Sequence, residues 1–170
     1  MTQIKEGSIA IDFSQALKVR RFDDINHGLS FCMKAVDFIV ELEKSVLFVE
    51  VKDPPDHDLA RKEAEKFAQR FSRGELEQDL YYKYRDTFLY EWASGNIKKP
   101  IYYLLLINIQ ELSEAELLNR TDELKRKLPV AGPATGVWKR KLVSDCMVFN
   151  LETWNKHLSR YQAKRLSPDA

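Results

Sequence analysis

The chain has 170 residues, 44% hydrophobic and 31% charged, a balance that suits one soluble globular domain over residues 1–170 and argues against disorder. A net charge of +1 from 27 Lys and Arg against 26 Asp and Glu speaks against avid, non-specific nucleic-acid binding, while leaving room for a segregated basic face. With no run of roughly 18 apolar residues to span a bilayer and no basic-then-apolar leader in MTQIKEGSIAIDF, the expectation is a cytoplasmic protein without membrane contact, its Cys32 and Cys146 reduced and buried.

Residues 1–33 are the least legible. Ile9 to Phe13 alternates weakly, and Leu17 to Phe22 reads as a first strand with its basic residues outward. Residues 34–53, KAVDFIVELEKSVLFVEVKD, hold two Val-, Ile- and Phe-rich runs around the polar turn Glu43-Lys44, the signature of a β-hairpin. Pro54-Pro55 ends the second run. Leu59, Ala60, Ala64, Phe67, Ala68 and Phe71 then predict a helix over about 57–72, opposite a basic face of Arg61, Lys62, Lys66 and Arg70, with Arg73 just beyond.

A second helix is predicted over 75–92, with Leu76, Leu80, Tyr84, Phe88 and Trp92 as its core stripe. IYYLLLINI (101–109) is apolar on both faces and reads as a central strand. Ser113 and Glu116 have capping-box spacing and open a helix over 114–128. After the loop 129–136, VSDCMVF reads as a strand, and Asn150 caps a final helix running to about Arg165. A β-meander followed by alternating helices and strands implies an α/β fold on a mixed sheet flanked by helices.

Charge inside the apolar hairpin is its distinctive feature. Asp37 opens the first strand, and Glu50 and Lys52, roughly 7 Å apart, share one face of the second. Antiparallel pairing across Glu43-Lys44 brings Asp37 close to Glu50. Such oxygens suit a hard divalent cation, Mg2+ or Mn2+, with the Val51 backbone carbonyl as a further ligand and Lys52 orienting a water or a phosphate. The only other acid-x-lysine triplet, Glu123-Leu124-Lys125, lies in a predicted helix, where its two charges fall on nearly opposite faces. On the residues alone, the alternative to a metal site is an Asp/Glu/Lys cluster on the solvated face of an edge hairpin.

Asp37, twelve intervening residues, then Glu50-Val51-Lys52 closing an apolar strand, resembles the PD-(D/E)xK nuclease superfamily. The resemblance implies a restriction-endonuclease-like core and metal-dependent cleavage of DNA or RNA phosphodiesters by Asp37, Glu50 and Lys52. The alternative is a non-catalytic member of that fold that binds nucleic acid or a protein. Val36 stands where the family has proline, and the family's upstream acid has no clear counterpart among Glu6, Asp12, Asp23 and Asp24. His27 and the Gln78-x-x-x-Tyr82 pattern are similar to accessory residues of a RecB-like branch. In such a fold the basic helix face would flank the site and meet phosphates, and Lys139 and Arg140 would form a further substrate-contacting edge. A homodimer or larger assembly stays open.

Overall fold

A computed structural model of the chain describes residues 3–24, 28, 31–54, 65–66, 69–70, 73–109 and 112–166. Five strands form the main sheet: β3 (Lys18–Arg21), β4 (Phe38–Glu41), β5 (Val46–Lys52), β6 (Ile101–Ile107) and β7 (Asp145–Phe149), in that spatial order. β3, β4 and β5 pair antiparallel, whereas β5, β6 and β7 run parallel. Between the parallel strands lie the helices α1 (Leu76–Ala93) and α2 (Glu114–Lys127). The α/β class expected from the sequence is therefore observed, as are the hairpin and both helices.

Each face of this sheet buries its own apolar cluster. Ile39, Phe48, Tyr103, Leu105 and Val148 pack under Leu76, Leu80 and Tyr84 of α1 and Leu117 and Leu124 of α2. The other face, with Phe38, Val40, Val49 and Leu106, is covered by elements that the N-terminal sequence did not announce. β1 (Gln3–Glu6) and β2 (Ile9–Asp12) make a second hairpin, which pairs with β8 (Ala163–Arg165) as a three-stranded sheet. Gly7 sits at its turn with φ 56°, a conformation that favours glycine.

Several expectations change. The final helix, α3, covers only Leu151–His157. Asn155 donates through Nδ2 to the Ala163 carbonyl (2.9 Å) and accepts the Ala163 N–H at Oδ1 (2.8 Å), turning the chain back into β8. Strand pairing thus overrides a helical pattern there. Trp92 lies outside the core stripe, 66% exposed. Cys146 is buried but Cys32 is exposed, and both are free thiols. The strand read from VSDCMVF shortens to Asp145–Phe149. Of the helix expected over 57–72, residues 65–66 and 69–70 are helical and the rest lies outside the described residues.

At the sheet's edge, Thr121 of α2 donates its hydroxyl to the Leu117 carbonyl and accepts the Val148 N–H of β7 at 3.0 Å. The Cys146 N–H bonds the neighbouring Asp145 carboxylate at 2.8 Å. Among the described residues no helix is long and apolar enough to cross a membrane.

Candidate metal site

The site lies on the helix-covered face of the sheet. Phe38 pairs with Val49, so one step further in that register sets Asp37 opposite Glu50. Period-2 alternation then places Asp37, Glu50 and Lys52 on the side of Ile39 and Phe48, beneath α1.

The segment leading into Asp37 is held by polar side chains of that helix. Asp86 accepts the Lys34 N–H at 3.0 Å, and Thr87 accepts the Val36 N–H at 3.1 Å. Asp37 itself accepts the Val51 N–H at Oδ2 (2.7 Å), while its carbonyl accepts the Phe22 N–H (2.8 Å). One carboxylate oxygen is thus consumed in fixing the hairpin, and Oδ1 is left to face the site.

Glu50 is fully buried and Asp37 is 5% exposed. Two ammonium groups meet them. Lys83 of α1 places Nζ 2.6 Å from Glu50 Oε1 and 3.3 Å from Asp37 Oδ1. Lys52 also bonds Glu50 Oε1. Glu50 Oε2 is buried without a hydrogen-bond partner among the described residues. Burial, reinforced by the Asp37 charge, pushes the Glu50 carboxyl up to about 7 against the pull of Lys52 and Lys83. Although burial works to lower it, the charges of Glu50 and Asp37 hold Lys83 above the ordinary lysine range. Tyr103, wholly buried below, donates its hydroxyl to the Leu80 carbonyl at 3.3 Å and is kept protonated by burial.

Sequence reasoning missed Lys83. Its signal was positional: it falls three residues after Leu80 and seven after Leu76, on the stripe that α1 buries. A lysine there needs an anionic partner, and both carboxylates lie more than thirty residues upstream.

The other expected site residues are dispersed. Gln78 is exposed and accepts from Lys127 Nζ at 3.3 Å, away from the carboxylates. Tyr82 packs against Arg85, Lys34 and Tyr81 and does not touch the pair. Lys66 and Arg70 are exposed helical residues, with Arg70 3.7 Å from Glu75. Lys139 and Arg140 are exposed in the loop before β7. His27, Arg61 and Lys62 lie outside the described residues.

Among the upstream acids, Asp23 is coupled to the site. Burial and then the Asp37 charge raise its carboxyl, and Arg21 bonds it at 3.4 Å. Asp12 instead caps the Ser14 N–H. Among the described residues no three His, Cys, Asp or Glu side chains are grouped to hold a metal. Asp37 and Glu50 are a two-carboxylate pair.

No family model, curated protein or solved structure matches this chain. What supports a function is therefore the geometry.

Proposed function

We propose that the chain is a metal-dependent phosphodiester hydrolase of restriction-endonuclease-like fold, acting on DNA or RNA. The observation that carries this reading is the convergence of Asp37 Oδ1 and Glu50 Oε1 on a single cationic centre, the Lys83 ammonium. Two carboxylates aimed at one point form a seat for positive charge. Glu50 Oε2, without a partner among the described residues, supplies a further oxygen beside it.

A hard divalent cation fits this donor set. Asp37 Oδ1, Glu50 and the Val51 carbonyl would hold Mg2+ or Mn2+, which when bound would acidify a water and polarise a phosphoryl oxygen. This chain's own residues do the remaining work. Asp37 is oriented by the Val51 N–H, and burial of Glu50 excludes competing water. Lys83 can swing from the carboxylates toward a phosphate oxygen, and Lys52 does the same at the half-exposed rim. The site lies toward the carboxyl end of β5, where open α/β sheets place their ligands.

The same cluster supports a second reading. Two carboxylates and two lysines sum to zero charge, so it can be a closed ion network in a non-catalytic, nucleic-acid- or protein-binding member of the fold. Calorimetric titration with Mn2+, together with cleavage assays on DNA and RNA, separates the two. The hydrolase is expected to bind Mn2+ at a site that Asp37→Ala removes. Lys52→Ala is expected to keep the metal and slow cleavage by about 10²-fold or more. An Mn2+ heat that is absent, or unchanged in Asp37→Ala, rejects the hydrolase.

A further inference from the structure

The solvent side of α1 carries a line of residues that the ion cluster does not use. Tyr82, Arg85, Leu89 and Trp92 follow at intervals of three and four, hence along one face. At its start, the Tyr82 ring has Lys34 Nζ 5.9 Å and Arg85 Cζ 4.8 Å from its centroid. Lys34 in turn pairs with Asp79, one helical turn before Lys83. The line therefore begins beside the carboxylate pair.

At its far end the line opens into a groove of about 850 Å³, floored by Phe88, Leu89, Trp92 and Leu142. Arg85, Lys98, Lys99, Arg140 and Lys141 form the rim, and no carboxylate lines it among the described residues. Lys99 is engaged by Glu41 at 2.7 Å and Arg85 by Asp86 at 2.8 Å, whereas Lys98, Arg140 and Lys141 have no carboxylate partner among the described residues. Trp92, 66% exposed, presents a large apolar ring to solvent at this mouth.

Rings interleaved with cations fit one polymer in particular. Unpaired bases stack on aromatic faces whatever their identity, while lysine and arginine follow the phosphates. In a duplex the base faces are already covered by their neighbours, so Trp92 would have nothing to stack on. The nine helical rises from Lys83 to Trp92 span about 14 Å, a length that about four stacked nucleotides cover. We propose that this groove binds single-stranded nucleic acid and feeds it along α1 to the Asp37–Glu50 pair. The delivery half of the proposal rests on the hydrolase reading; the binding half stands on the groove alone.

The test is fluorescence anisotropy with labelled homopyrimidine DNA and RNA strands in EDTA, where metal-dependent cleavage is off, alongside quenching of tryptophan emission. Wild type is expected to bind single strands more tightly than a duplex, and to be quenched by them. Trp92→Ala should weaken binding about tenfold or more, while Trp92→Phe retains most of it. The double variant Arg140→Ala/Lys141→Ala should flatten the salt dependence by about 1.4 in log–log slope. Circular dichroism confirms that each variant is folded. Equal affinity for duplex and single strand, or binding unmoved by both Trp92→Ala and the double variant, overturns the proposal. So does quenching by an acidic amphipathic peptide but not by oligonucleotides. Strand binding in EDTA without any cleavage in Mn2+ keeps the groove and rejects the hydrolase. Cleavage in Mn2+ that is indifferent to Trp92 keeps the hydrolase and rejects delivery along α1.

Discussion

Glu50 has the environment most at odds with its charge, since a fully buried carboxylate beside Asp37 is hard to ionise. Its carboxyl moves from 4.5 to about 7, a displacement worth about 3 kcal/mol. Because the folded state holds this proton more tightly than the unfolded chain, the contribution is complete below 4.5 and is lost as pH rises through about 7. Urea denaturation across that window should therefore show stability falling with pH, and Glu50→Gln should remove most of the slope. A slope equal in both proteins would assign the effect to other groups, such as Asp23. Asp37, Glu50 and Lys52 were legible in the sequence because strand alternation fixes which side chains share a face. Lys83 was not, because what places it is a helix that docks on them from more than thirty residues downstream.

Capping is the clearest link from residue to element. Asn150 Oδ1 accepts the Thr153 N–H at 2.8 Å, and Thr153 Oγ1 accepts the Asn150 N–H at 3.0 Å, a reciprocal cap on the seven-residue α3. That short helix carries Trp154, which is fully buried against Phe13 and Phe149. With the cap itself buried, Asn150→Ala is expected to cost about 2 kcal/mol, and Asn150→Asp much less, by thermal denaturation. Helix starts were readable because Ser113 and Asn150 act on their own neighbours. The end of α3 was not, since Asn155 and the pairing of β8 with β2 stop it through contacts remote in sequence.

At the level of the whole molecule, Asp53 ties the two sheets together. Leaving β5, it accepts the Ser8 N–H from the β1–β2 turn, and the Asn108 amide donates to Oδ1 at 2.6 Å. A Cβ on Gly7 would run into the same carboxylate, besides straining the positive φ. Asp53→Ala is expected to cost about 1–3 kcal/mol by stranding these donors. Gly7→Ala should be destabilising too, but less so in the Asp53→Ala background. A double-mutant cycle by urea denaturation measures that coupling, and strict additivity would mean the two residues act independently. The N-terminal hairpin was obscure in the sequence because its strands are only four residues each and owe their pairing to β8 and to this distant carboxylate.

The Thr121 hydroxyl has a consequence for how this protein can meet another copy of itself. It occupies the Val148 N–H, and Asp145 occupies that of Cys146, so β7 does not offer either donor to an incoming strand. The opposite margin, β3, is four residues long and carries Lys18, Arg20 and Arg21. Short, charged or pre-bonded margins discourage strand addition. At both margins of the main sheet, strand addition by another copy is therefore disfavoured, and contact there falls to side chains.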